Sequence, residues 1–231
     1  MFGDAHLHYK GLCYDGIEDA SLLCVCSAEL SDWDRIGSVP DERVVRSYGI
    51  HPWYADQWNA DAGERLRSLL DADPKAGVGE IGLDYGRGDA VIQATAFTEQ
   101  LIIASEYGRF VSVHNVRSEG LIQKILKTDG KGCGSVIMHS FSGPIGSIQS
   151  LVKSGCYFSV SPRLMLKSRA NAELILNKIP DDRLLIETDA PDMPGGFTDM
   201  GTFIADIADI KGISAEALAE LTLANLKEAV E

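Results

Sequence analysis

The residues of this chain best equipped for chemistry are its five histidines and a few carboxylates embedded in apolar sequence. His6 and His8 form an H-x-H pair in GDAHLHY, and His51, His114 and His139 each follow an apolar run of strand-like composition. Glu80 in GEIGLDY and Asp189 in LLIETDAP place acidic groups inside equally apolar stretches. Imidazole nitrogens with carboxylate oxygens suit zinc, iron or manganese, and a carboxylate lying between two ions can bridge them. Paired ions polarise a phosphoryl or carbonyl oxygen, lower the pKa of bound water and clamp the entering and leaving oxygens. Hydrolysis is the implied chemistry.

A lone histidine on an apolar strand is more often a core residue bonded to backbone than a ligand. Here all five fall at predicted strand ends, and the carboxylates of GVGEIGL and LLIETDAP need partners if they are buried. A shared cation site satisfies both conditions at once.

These donors need a scaffold that brings distant segments together. Apolar, β-branched segments at 2–8, 21–28, 44–50, 77–83, 110–114, 135–140, 156–160 and 184–189 predict eight strands. Amphipathic segments at 57–70, 91–107, 118–127, 145–152 and 171–178 predict helices between them, with 203–210 and a terminal helix capped by Ser214 after the eighth strand. Strand and helix repeated eight times predict an α/β fold, a (β/α)8 TIM-type barrel forming a single domain over residues 1–231. Its first two units are short, which makes a degenerate barrel the expected variant. An open doubly wound sheet would call for a Gly-rich phosphate turn, and the chain has neither a G-x-G-x-x-G nor a P-loop pattern.

Within a strand, i and i+2 share a face, so His6 and His8 point the same way. Glu187 with Asp189, and Glu80 with Gly82 and Asp84, repeat that spacing. Such positions lie near the carboxyl ends of their strands, where barrel active sites form.

Composition narrows the class. The 231 residues are 45% hydrophobic and 24% charged, ordinary for a globular chain. The start has no basic, apolar leader pattern, and no apolar run is long enough for a membrane span, so the expectation is a cytoplasmic protein with no membrane partner and no obligate protein partner. Five cysteines without C-x-x-C spacing agree with that compartment and read as small buried hydrophobes. The net charge of −13, from 21 basic and 34 acidic residues, repels a polyanion at long range and argues against extended DNA binding. Bound divalent ions would reverse that field locally.

In order along the chain, DAHLH, GIHPW, GEIGLDY, the Gln93, Phe97 and Gln100 spacing, VSVHNVR, HSFSG and ETDAP resemble the TatD-related DNase family of metal-dependent hydrolases, over residues 3 to 191. The resemblance implies a TIM-type barrel carrying two divalent metal ions, Mg, Mn or Zn. It implies that His6 and His8 hold the first ion, Glu80 bridges, and His114 and His139 hold the second. Asp189 then binds metal while orienting or deprotonating the attacking water, which makes Asp189 and Glu80 the catalytic pair, and His51 contacts substrate phosphate. The implied reaction is phosphodiester hydrolysis, a deoxyribonuclease of exonuclease type acting on DNA ends or short oligonucleotides.

Two departures bear on the substrate. The family usually places an arginine two residues after the strand-five histidine, whereas here Asn115 and Val116 intervene and Arg117 comes third. After ETDAP the family commonly carries an Arg-Asn-x-Pro stretch, and this chain runs DMPGGFTDMGTF instead, which implies a shortened wall to the substrate groove. Arg163, Lys167 and Arg169 follow the seventh strand, where barrels frequently bind phosphate. Arg163 leads as a substrate contact, because its fork can engage two oxygens, while Lys10 is a further cation behind the H-x-H pair. The bland alternative for these charges is a solvated helix face.

Two other functions compete. One is a metal-dependent hydrolase of small amides, lactones or phosphoesters on the same barrel, whose relatives often bridge their ions with a carboxylated lysine where this chain has Glu80. The other is a non-catalytic metal-binding or partner-binding protein on a retired scaffold, which the full donor set disfavours.

Overall fold

The computed structural model describes residues 1–193 and 199–231, without the Lys167 side chain. Among the described residues there are eight parallel strands: β1 (Phe2–His8), β2 (Ala20–Cys26), β3 (Val44–Ser47), β4 (Val78–Asp84), β5 (Val111–Val116), β6 (Val136–Met138), β7 (Cys156–Val160) and β8 (Leu184–Ile186). They pair in sequence order as two ladders, β1-β2-β3 and β4 to β8. Backbone bonds beyond the ladders join them: Tyr48 N–H donates to Gly77 O at 3.1 Å and Gly79 N–H to Tyr48 O at 3.1 Å. On the opposite seam Asp189 N–H donates to His6 O at 3.0 Å and His8 N–H to Ala190 O at 2.8 Å. The result is a (β/α)8 barrel. Its strands read as nearly unbroken apolar runs because a parallel sheet is covered on both faces, and every residue of β4 and β7 is buried.

The helices are α1 (Asp32–Gly37), α2 (Ala60–Ala72), α3 (Ala90–Tyr107), α4 (Glu119–Asp129), α5 (Ile148–Lys153), α6 (Arg163–Lys167), α7 (Arg169–Leu176), α8 (Met200–Lys211) and α9 (Ala215–Val230). Asn59, Asp89 and Ser214 cap α2, α3 and α9 by accepting backbone N–H groups at their first turns. α9 packs on β1 and β8 beside the closing seam, and Leu226 lies so near that a Cβ on Gly3 would stand 2.8 Å from it. Between β1 and β2 the chain makes only two 3-10 turns, so the helical coat is thinnest at the first unit, as the short spacing there predicts. Among the described residues, no helix is long and apolar enough to cross a membrane.

β2 ends two residues earlier than the apolar pattern predicts, and three further strands also end early, each just before a chemistry-bearing residue. β3, β6 and β8 stop at Ser47, Met138 and Ile186, so His51, His139 and Asp189 lie past the last residue of each strand. Ser140 and Asp189 have φ of 45° and 60°, a left-handed conformation that no ladder accommodates. The helix expected from residue 57 begins at Ala60, because Pro52–Gln57 forms a 3-10 run and Asn59 supplies the cap. α1 and α6 leave no mark in the apolar pattern, as each is too short to display a period. Among the cysteines, Cys24, Cys26 and Cys156 are buried as expected, whereas Cys13 is exposed and Cys133 intermediate. The shortened DMPGGFTDMGTF wall falls partly on 194–198, outside the described residues.

Candidate metal centre

Glu80, buried in the middle of β4, stands at the centre of all five histidines. Its Oε2 lies 3.3 Å from His6 Nε2 and 3.5 Å from His8 Nε2. Its Oε1 lies 2.7 Å from His114 Nδ1, 3.4 Å from His51 Nε2 and 3.5 Å from His139 Nε2. Asp189 Oδ1 completes the ring at 3.9 Å from both His8 Nε2 and His139 Nε2. The six residues that the resemblance assigns to metal therefore converge from β1, β4 and β5 and from the turns after β6 and β8, with His51 beside them. Three donor triads are close enough to share a cation: His6, His8 and Asp189; His6, Glu80 and His139; and His51, Glu80 and His114. The grouping differs from the sequence expectation in one respect, since His139 shares a triad with His6 while His114 shares one with His51.

An outer set of groups aims these donors. Cys26 O receives the His8 Nδ1–H at 3.1 Å, which leaves the Nε2 lone pair turned toward Glu80 and Asp189. His6 Nδ1 is bonded to Ser112 Oγ at 3.0 Å. His139 Nδ1 lies 2.9 Å from Glu187 Oε1, which also receives Ser140 N–H at 3.0 Å. Trp53 N–H donates to His51 Nδ1 at 3.1 Å, so a neutral His51 carries its proton on Nε2 and presents an N–H to the site. The two glutamines of α3 fix the loops from below: Gln100 Oε1 receives Ile50 N–H at 2.7 Å, and Gln93 Oε1 receives Asp84 N–H at 2.8 Å. Gly82 in β4 has φ of 145°, and a Cβ there would stand 2.0 Å from His114 O, so only glycine lets β4 pass beneath that residue.

Electrostatics follow from the crowding. Burial alone would push the Glu80 carboxyl up, but His51, His139 and His6 hold it well below the usual carboxylate range. Burial would likewise lower His114, yet the carboxylates of Asp84 and Glu80 beside it raise it to about 9. Asp189 is pushed up by burial against the opposing pull of His139 and His6. A carboxylate offers about four lone-pair sites, so five imidazoles exceed what Glu80 can satisfy. Buried His6 Nε2 and His114 Nε2 have no hydrogen-bond partner, the latter standing 3.8 Å from Asp84 Oδ2. Nitrogen and oxygen donors in this number, with buried imidazole nitrogens left unpartnered, fit divalent cations.

The cationic candidates separate. Arg163, at the start of α6, reaches the site: its Nε lies 3.3 Å from Asp189 Oδ2 and its Nη2 donates to Asp192 O. Arg117 is exposed just beyond β5 with φ of 56° and, among the described residues, takes no part in the bonds around Glu80. Arg169 turns away, pairing with Glu173 and Asp209 on the helices. Lys10 is exposed, and the Lys167 side chain lies outside the described residues. Sequence reasoning missed Ser112, Glu187 as the His139 partner, and Asp4. Of these only the last two carried a signal, each being an acidic residue inside an apolar run.

Barrel and donor set together define a scaffold of the metal-dependent hydrolase class. The particular family follows from the sequence: the TatD related DNase family model matches residues 4–231, and the chain belongs to that family. It is 32% identical over 147 residues to the 3'-5' ssDNA/RNA exonuclease TatD of Erwinia tasmaniensis, a match covering 62% of this chain but only 56% of that protein. It is 27% identical to the uncharacterized metal-dependent hydrolase YabD of Bacillus subtilis over 98% of both chains. Among solved structures, the TatD homolog YjjV of Escherichia coli K12 superposes with a TM-score of 0.84 at 23% identity, covering 99% of this chain and 97% of that one, a likeness of fold.

Proposed function

We propose that this chain is a two-metal phosphodiesterase that removes nucleotides from DNA ends or short oligonucleotides. The observation that carries this reading is the division of Glu80, whose Oε2 faces His6 and His8 while Oε1 faces His51, His114 and His139. A carboxylate shared in that way suits two cations better than one. His6, His8 and Asp189 would hold one ion and His114 and His139 the other, with Glu80 between them. When bound, such ions lower the pKa of water, polarise the phosphoryl oxygen and stabilise the leaving oxygen. Relatives named 3'-5' ssDNA/RNA exonuclease support the substrate class.

The chain's own groups do the rest. Asp189 has Oδ2 engaged by Arg163, which leaves Oδ1 to orient the attacking water and accept its proton. Burial raises the Asp189 pKa, which makes it a better base than an exposed aspartate. His51 offers Nε2–H to a phosphate oxygen, and Arg163 and Arg117 supply positive charge at the rim of a chain whose net charge is −13.

Purified protein supplied with manganese or magnesium is expected to release nucleotides from single-stranded DNA, and Asp189→Asn to abolish this with the fold intact. Metal-loaded protein that is inert on DNA but hydrolyses small amides, lactones or phosphomonoesters would overturn the nuclease reading in favour of the small-molecule one.

A further inference from the structure

We propose that Trp53 and Arg87 form a stacking platform for the nucleobase next to the scissile phosphate, an inference that rests on the nucleic-acid reading above. Trp53 follows His51 by two residues in the Pro52–Gln57 turn, and its ring centroid lies 4.9 Å from that of His51 and 6.4 Å from that of His114. The indole therefore borders the donor cluster, about where the base of a phosphate held there would fall. It is also fixed: Trp53 Nε1 donates to Asp84 Oδ2 at 2.6 Å, and Asp84 is itself held by Gly86 N–H at 2.7 Å. Yet the residue remains 44% exposed. A large aromatic held rigidly and left half open at the rim of a polar site is placed for contact with something outside the fold.

The guanidinium of Arg87 lies over this ring, with Cζ 4.2 Å from its centroid. Its backbone is tied to the same carboxylate loop, since Arg87 N–H donates to Asp84 O at 3.3 Å and Arg87 O accepts from Gln93 Nε2. Arginine stacked on tryptophan presents a planar, cationic, aromatic-like surface, which suits a base and its flanking phosphate together. Stacking of this kind tolerates any base, because every base has a π-face. It would give a strongly acidic chain local affinity for single strands without an extended basic groove.

The competing account is that Trp53 merely props Asp84 beside His114. The two differ in whether the substrate's base matters. The test compares metal-loaded protein on a short single-stranded oligonucleotide and on the same oligonucleotide with an abasic terminal residue, together with quenching of tryptophan fluorescence by each. Wild type is expected to favour the base-bearing end in KM by about tenfold, the scale of one base–aromatic stack. Trp53→Ala should collapse that preference and Trp53→Phe retain part of it; Arg87→Ala should weaken it without rescue by Arg87→Lys, and thermal melting checks each fold. Equal weakening on both substrates in Trp53→Ala would reduce the residue to a prop and overturn the platform. A wild type that cleaves both oligonucleotides alike overturns the platform while the nuclease reading stands, whereas one that neither cleaves nor is quenched by either removes both.

Discussion

Asp4 grips Thr188 with both carboxylate oxygens: Oδ1 receives the Thr188 N–H at 3.0 Å and Oδ2 the Thr188 hydroxyl at 2.7 Å. The same Oδ1 takes His6 N–H at 3.3 Å, and the Thr188 hydroxyl accepts Ala190 N–H at 3.1 Å. These bonds span the seam between β1 and β8, where the chain closes its barrel, and they flank His6 on one side and Asp189 on the other. The clamp is wholly buried, and burial pushes the Asp4 carboxyl up to about 7 despite its bonds to Thr188. Closing the fold and spacing two proposed ligands are thus one act.

Thr188→Val keeps the shape of the side chain and removes the hydroxyl. It leaves Asp4 Oδ2 short of a donor in a dry site, so stability should fall by about 1–3 kcal/mol in urea or thermal melts. Because the clamp sets the positions of His6 and Asp189, metal affinity should weaken by about tenfold in competition with a chelating dye. Unchanged melting would mean that the seam is held by its backbone bonds alone.

Glu80→Gln is the sharper test of a bridging carboxylate. The amide fills the same volume but removes the charge facing five imidazoles. Elemental analysis of the purified variant should show loss of bound divalent metal, with hydrolysis reduced by at least about a hundredfold, given the several kcal/mol that metal activation supplies. In metal-free protein, NMR titration should also find the His114 pKa below the value of about 9 that Asp84 and Glu80 sustain against burial. Full metal content in Glu80→Gln would assign the ions elsewhere.

Much of this centre was legible because acids and histidines inside apolar runs are costly to bury unless something pairs with them. His6, His8, Glu80, His114, His139 and Asp189 all converge, and the eight strands are those that the apolar pattern marks. What the pattern could not carry are features without a hydrophobic signature. The left-handed turns at Ser140 and Asp189 end two strands early through backbone conformation alone. The carbonyl of Cys26 that orients His8, and Ser112 behind His6, are ordinary groups whose role comes from position. Trp53 and Arg87 sit in separate loops and meet only after the barrel has closed. Of the basic residues after the seventh strand, only folding distinguishes Arg163, beside Asp189, from Arg169, paired among helices.

Arg163 is half exposed, so its pairing with Asp189 contributes little to stability, and its value lies in what it does for substrate. Arg163→Ala is expected to raise KM for an oligonucleotide by about 10- to 100-fold, the worth of a charged hydrogen bond to phosphate. Arg163→Lys should recover only part of this, since an ammonium cannot hold Asp189 and a phosphate oxygen in one plane. A change confined to kcat would assign Arg163 to tuning Asp189 instead.

Thiol chemistry offers a check on the packing that needs no metal. Burial raises Cys133 from 9.0 to about 11 and Cys156 from 9.0 to about 12, while Cys13 is exposed. The thiolate is the reactive species, so alkylation by iodoacetamide at pH 8, followed by mass spectrometry, should mark Cys13 first. Labelling of Cys133 should climb with pH toward 11, and Cys156 should react only on unfolding. The linked effect on stability has a definite sign. From pH 9 up to about 11 for Cys133 and about 12 for Cys156, the thiol keeps its proton when folded and loses it when unfolded, so the unfolded state binds fewer protons and stability falls as pH rises. Cys156→Ala should flatten that alkaline decline in urea melts, and an unaltered slope would mean that the thiol is more open to solvent than its place in β7 allows.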